Sequence, residues 1–409
     1  MPLMFFACKR DSVMIKRADR VGKVMTSPYR AVSLFLIWRK RMDAKRVFII
    51  GAGFSKQAGM PLATELTPLL RRKFEDYDHA EALQWLAWLD ERVNWMNDKS
   101  RNGRCVPNIE ELFDLAHFDA LTWKMRQQLC PVGRNSGDTP LSNAESIEAW
   151  LSYMEDDLRD VIWNQQQTGL QRLDRIDKFT AVLQDNDVIA TFNYDTLIEQ
   201  SISYAERAWQ YGFTFEKGHG IRILKMHGSI NWAVVLRDQI DSFGYPILFR
   251  KEDLNATDTT PSPNEPEYAY ALLRIPDDKL ADRIENRFLQ KGNKQYGIGI
   301  AGLGRYKPLD ALPGSGPVWD TAGRALYQAD EIYAIGFSLS PFDTLARLHF
   351  AGVMCERARK NKLPKKIVLV DPHACSLKED YEAVFGLETP LETIENCAED
   401  VDWTSLLVP

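Results

Sequence analysis

Short, unbroken apolar runs punctuate the chain at wide intervals: VFII (47–50), DVIAT (187–191), IRILKM (221–226), EIYAIGF (331–337) and KIVLVD (366–371), with YGIGI (296–300) a weaker sixth. They are rich in β-branched residues and do not alternate with polar ones, the pattern of strands buried on both faces. Spaced by helical segments, they predict an α/β fold: a Rossmann-like parallel sheet with helices on both faces.

Between Pro61 and about Asp185 the period changes. No run there reads as strand, whereas HAEALQWLAWLDERVNWM (79–96), IEELFDLAHFDAL (109–121) and SNAESIEAWLSYMEDDLRDVIW (142–163) repeat apolar side chains every three or four residues. Ser142 reads as an N-cap, with Glu145 as its capping-box partner. Trp85, Trp88 and Trp95 fall at near-helical spacing, which predicts a core stripe or a helix–helix seam. The expected organisation is therefore a basic extension over 1–44, a Rossmann-like catalytic domain built from 45–66 and 185–409, and an all-helical insertion over 67–184. A second irregular stretch from Asp253 to Pro266, with TPSPNEP in it, predicts a surface loop.

Composition adds a compartment and removes several function classes. The 409 residues, 45% hydrophobic, can bury a large core, and six cysteines without a C-x-x-C pair argue against both a disulfide framework and a structural zinc. A reducing cytoplasm is the expected location. The longest apolar run outside the strands, AVSLFLIW (31–38), falls far short of the roughly 20 residues that span a bilayer, so no membrane role is expected. Net charge is −6 but unevenly placed: residues 1–46 hold 12 Lys/Arg against 3 Asp, leaving 39 basic and 54 acidic residues for the rest. A basic arm on an acidic body can serve nucleic acid or anionic lipid, but a solvated leader explains it as well, and no direct nucleic-acid binding is expected. MDAKRVFIIGAG, from Met42, reads as a natural start, which would make the upstream residues an optional extension.

In an open parallel sheet, ligands sit beyond the carboxyl ends of the strands, so the residues following each run are those to inspect. After the first comes Gly51-Ala52-Gly53-Phe54-Ser55, where two glycines let the backbone bend sharply and approach a ligand closely. The common dinucleotide fingerprint would need a third glycine where Lys56 stands, and an acidic residue about 20 positions on. Neither is present, so the turn belongs to a different kind of nucleotide loop or to none. After the second run comes Thr191-Phe192-Asn193-Tyr194-Asp195, and after the third His227-Gly228-Ser229. The EIYAIGF run leads into Gly336-Phe337-Ser338 with Asp343 following, and the KIVLVD run ends in Asp371-Pro372. Taken singly, Asn193 could merely cap the next helix and His227 could be a turn histidine. His79, His117 and His349 read as packing or surface residues, and His219 as a residue of a glycine-containing turn that could border the site.

In that order and spacing, GAGFSKQAGMP, TFNYD, KMHGS, IGFSLSPFD and VLVDP resemble the sirtuin-like NAD-hydrolase domains of prokaryotic antiviral defence systems, a divergent branch of the sirtuin superfamily. The resemblance spans about residues 45 to 400. It implies that Gly51, Ala52, Gly53 and Ser55 hold the pyrophosphate and ribose of NAD, which is bound as substrate. It further implies that Asn193 and Asp195 border the nicotinamide riboside, that His227 is catalytic together with Asn193, and that Gly228 and Ser229 belong to the same pocket. Gly336 and Ser338 would lie near the adenosine side, and Asp371 near the adenine ribose.

Two departures separate this chain from the protein-deacylating branch. Those enzymes continue after the proline with Asp-Phe-Arg, where this chain has Leu62-Ala63-Thr64, and they carry a four-cysteine zinc module that the cysteine spacing here cannot build. The expectation is therefore NAD cleavage to nicotinamide and ADP-ribose, without zinc or any other metal. It would deplete NAD in an antiphage, abortive-infection response once a partner or trigger activates it. A deacylase or ADP-ribosyl transferase using the same molecule, and a non-catalytic NAD- or ADP-ribose-sensing subunit, are the alternatives. A homo-oligomer is expected, with an ATPase-translocase or an Argonaute-like protein as the kind of defence partner.

Overall fold

The computed structural model describes residues 44–76, 80–101, 108–129, 144–212, 220–235, 247–249, 270–274, 296–301, 303–305 and 315–407, all within one compact unit, Met42–Pro409. The expected extension, AVSLFLIW, Ser142, the loop from Asp253 to Pro266, His79 and His219 lie outside the described residues.

The main sheet has seven strands: β1 (Arg46–Ile50), β2 (Val188–Thr191), β3 (Trp209–Tyr211), β4 (Ile221–Lys225), then, after the second sheet described below, β9 (Glu331–Ile335), β10 (Lys366–Val370) and β11 (Leu391–Ile394). Their spatial order is β11-β10-β9-β1-β2-β4-β3 and every pairing is parallel. Leaving aside edge strand β3, this is the doubly wound order, with the chain winding outward in both directions from β1 and β9. Every residue of β1 and β2 is buried, so apolar side chains leave both faces of the sheet centre.

On one face Phe48 stacks on its register partner Tyr333, with centroids 5.2 Å apart. Phe179, on α6 (Asp174–Thr180), meets Phe48 edge-on and links it to Phe54 in the short helix α1 (Ala52–Lys56) and to Trp403 in the last helix, α11 (Trp403–Leu407). At the amino-terminal end of the sheet Arg46 is sunk beside Asp187. Its Nε and Nη2 reach the two carboxylate oxygens at 3.0 and 2.5 Å, and its Nη1 donates to Leu407 O at 2.8 Å. Burial nevertheless holds the Asp187 carboxyl above its ordinary pKa, with Arg46 opposing the shift.

Helices α2 (Ala63–Asp76), α3 (Ala80–Arg101), α4 (Ile109–Leu129) and α5 (Ala144–Leu170) pack on one another between β1 and β2, as the change of period predicts. On α3, Trp85, Leu86, Leu89 and Val93 form the buried stripe, whereas Trp95 is 64% exposed and stands outside it. Helix α5 also packs against α7 (Leu197–Tyr204) and strand β5 (Gly228–Val235).

A smaller mixed sheet, absent from the expectation, has the order β6-β7-β5-β8, with β6 at Ile247–Phe249, β7 at Tyr270–Arg274 and β8 at Tyr296–Ile300. The YGIGI run is indeed a strand, β8, but it pairs antiparallel with β5 in this second sheet and takes no part in the parallel one. Helices α8 (Ser315–Gln328), α9 (Thr344–Arg359) and α10 (Ala374–Phe385) complete the main layer, α8 lying against β2 and β4.

Candidate active site

Because the main sheet is wholly parallel, the carboxyl ends of β1, β2, β4, β9 and β10 share one edge, and the predicted motifs follow those ends. The winding reverses between β1 and β9, where the two following turns meet main chain to main chain. Gly51 N donates to Ile335 O at 3.1 Å and Gly53 N to Gly336 O at 3.0 Å. A Cβ on Gly51 would stand 2.4 Å from Gly336 O, and one on Gly53 2.9 Å from Gly336 Cα. Gly336 itself has φ +56°, and a Cβ there would lie 2.2 Å from Phe54 N. These glycines are thus required by the close approach of two strand ends; a side chain at Gly53 would strike protein before it struck any ligand.

Accessibility grades the motif residues into a rim and an interior. Ala52 and Ser338 are exposed, and Gly53, Gly336 and Asp371 are half-buried, the last using its carboxylate to accept the His373 amide at 2.8 Å. Gly51, Ser55, Asn193, Asp195, His227, Gly228 and Ser229 are buried.

Asn193 does not cap the helix that follows it. Its Nδ2 donates to Gly51 O at 2.9 Å and to Ser55 Oγ at 3.0 Å, tying the end of β2 to the glycine turn. Asp195 takes the capping role, accepting the Leu197 amide at 3.1 Å in the first turn of α7. Below it the Lys225 ammonium donates to Asp195 O and pairs with Glu199 Oε1 at 3.2 Å, an oxygen that also accepts from Tyr211 OH at 3.1 Å. Burial raises the Glu199 pKa, opposed by the charge of Lys225. Ser229 is fully buried and donates to Tyr194 O at 3.2 Å, and Gly228, at φ +82°, makes the turn from β4 into β5. Both support the loop carrying Asn193 from behind.

His227 sits in that turn, 5% exposed, with its ring edge-on to Phe192 at 4.9 Å. Phe192 is stacked in turn on Phe337, 4.4 Å away. The His227 Nε2 lies 3.5 Å from Asp343 Oδ1. Nearby, Tyr194 OH donates to Ala301 O at 2.9 Å, and burial pushes its pKa well up, helped by the charges of Asp343, Glu110 and Glu155.

Glu110 and Glu155 belong to the helical insertion, and sequence reasoning passed over both. The insertion reaches three segments around the site: Gln166 Oε1 accepts the Thr196 amide at 2.7 Å, Arg159 Nε donates to Ile230 O at 3.2 Å, and Ser340 Oγ donates to Glu110 Oε2 at 3.3 Å. Glu110, Glu155 and Gln166 are buried among the apolar residues of their helices, and a periodicity of apolar side chains carries no sign of them. Asp343 was visible in IGFSLSPFD, but nothing in the sequence said which group it would face. His117 packs beside Phe113, and His349 beside Trp319, whose indole N–H donates to Met226 O, next to His227, at 2.9 Å. Among the described residues no three His, Cys, Asp or Glu side chains are grouped to hold a metal ion, and no helix is long and apolar enough to cross a membrane.

No family model matches the chain, and no curated protein matches it. Among solved structures, the chain is similar to one described as Sir2Tm bound to a propionylated peptide, at 12% identity over 91% of this chain and 94% of that one, with a TM-score of 0.29. So loose a superposition adds nothing to the doubly wound parallel architecture that the strand order itself shows.

Proposed function

We propose that the protein is a NAD hydrolase that releases nicotinamide and ADP-ribose, and that it depletes NAD in an antiphage response when a partner or trigger activates it. The observation that carries this reading is the tie from Asn193 to Gly51 and Ser55, which joins the glycine turn to the TFNYD motif, whose Phe192 meets the His227 ring at 4.9 Å. The grading of the site also supports it. Accessible residues (Ala52, Gly53, Gly336, Ser338, Asp371) follow β1, β9 and β10 and suit the adenosine and pyrophosphate end, while the deeper Asn193 and His227 suit the bond to be broken.

Hydrolysis breaks the nicotinamide–ribose bond, the bonding pair leaving with nicotinamide; the oxygen of water bonds to the ribose carbon and its proton passes to a base. Because the pyridinium leaves without protonation, the protein must grip and orient rather than supply an acid. Asn193, fixed at its amide nitrogen, orients the attacking water or the ribose hydroxyls, and the imidazole of His227 accepts the proton. Asp195, engaged in capping α7, shapes the loop that holds Asn193.

The test is nicotinamide release from NAD by the full chain in the presence of its activating partner or trigger, together with cellular NAD when both are expressed. His227→Ala is expected to keep NAD affinity by calorimetry and to lose about 10²–10⁴ of turnover. A wild type that binds NAD yet neither releases nicotinamide nor lowers cellular NAD would instead be a sensing subunit. Transfer of acyl groups from a peptide would favour the deacylase alternative.

A further inference from the structure

An aspartate at the first position of a helix ordinarily turns its carboxylate onto the exposed amides of the first turn. Asp343 occupies that position on α9 and makes no such bond. Its side chain, 10% exposed, points instead at His227, with Oδ1 at 3.5 Å from Nε2, an ion-pair distance between two buried groups.

The loop that delivers it is held on several sides. Asp343 N donates to Ser340 O at 2.9 Å, Phe342 N donates to Ser340 Oγ at 3.2 Å, and that hydroxyl reaches Glu110 of the insertion. Leu339 just before it has φ +50°, a conformation rare for a branched residue, and its carbonyl accepts from Arg347 Nη1 at 2.8 Å. A strained turn, fixed at both ends, has set aside the usual cap and placed a carboxylate beside an imidazole.

We propose that Asp343 is the positioning residue for His227: its carboxylate fixes the orientation of the imidazole and stabilises the imidazolium formed when His227 takes up a proton. The assignment rests on His227 being the base of the hydrolysis proposed above. Glu110 on α4 and Glu155 on α5 act, with Asp343, on Tyr194, whose ring lies 6.3 Å from that of His227 and which stays neutral. Asp343→Asn removes the one of these carboxylates that stands at ion-pair distance from His227 and leaves Glu110 and Glu155 in place.

The experiment labels the histidines of the full chain with ¹⁵N and follows the imidazole signals against pH. With six histidines, the His227 signal is assigned by its loss in His227→Gln. In Asp343→Asn the His227 pKa is expected to fall by about one pH unit. The acid limb of nicotinamide release should move down with it, and kcat should drop about tenfold at unchanged KM. Asp343→Ser supplies a good helix cap without the charge, so a merely structural role predicts wild-type behaviour from it, whereas the pairing predicts the same fall as in Asp343→Asn. His227 titrating alike in the wild type and both variants overturns the inference, whatever the activity. A His227 pKa that falls in a protein releasing no nicotinamide sinks the hydrolase reading and leaves the pairing standing. If Asp343→Asn does not fold, Asp343→Ser alone decides.

Discussion

Asn193 shows how one side chain can hold two strand ends together. Both hydrogens of its amide are committed, one to Gly51 O and one to Ser55 Oγ. Asn193→Ala leaves these buried acceptors without their donor, so it should destabilise the fold by about 1–3 kcal/mol, as read from the urea midpoint. It should also raise KM for NAD while lowering kcat, because the glycine turn loses its tether; a fall in kcat alone would mean the tether is dispensable. His349 gives a second residue-level test. Burial lowers its pKa below the ordinary histidine value of about 6.5, opposed by Asp320 and by a hydrogen bond donated to the Trp319 carbonyl, and its Nε2 has no hydrogen-bond partner. A histidine whose folded pKa lies below its unfolded value contributes stability that is present above pH 6.5 and lost as pH falls through the folded value. Between pH 7.5 and 5.5 the wild type should therefore lose more stability than His349→Leu, measured by denaturant midpoints at the two pH values.

At the scale of elements, the close contact of β1 with β9 sets the hardest constraints. Gly336→Ala places a Cβ on Phe54 N at a positive φ and should cost about 1–3 kcal/mol or more in chemical denaturation. Gly53→Val should likewise lower stability as well as NAD affinity, since its side chain meets the Gly336 backbone. Arg46→Met leaves Asp187 buried without its partner at the far end of the same strands, with a loss of about 3–5 kcal/mol expected. Legibility follows burial here. The five runs read from sequence form the contiguous middle of the sheet, β4-β2-β1-β9-β10, where both faces are covered and most side chains are apolar. The edge strands WQY and LETI are short and partly exposed, so they leave no such run, whereas β5 to β7 went unread although WAVV and YALL are apolar runs within them. Of the site, the strand-end motifs were legible because chemistry sits where strands stop. The partners of those residues were not, because Glu110, Gln166 and Asp343 reach the site through tertiary packing.

For the whole molecule, the compact unit Met42–Pro409 leads to the expectation that a chain beginning at Met42 unfolds at the same denaturant midpoint as the full protein. A lower midpoint or insolubility would assign residues before it to the core or to an interface. The glycine contact also has a mechanical consequence. Where Gly51 and Gly53 lie against Gly336 there is no rotamer to flip and no gap to close, so this part of the rim behaves as a fixed jaw. The Gly53 amide should accordingly be among the slowest to exchange with deuterium, opening only when the domain unfolds. The adjoining loop from Leu339 to Asp343 is held in its turn to Glu110, which couples that side of the rim to the posture of the helical insertion.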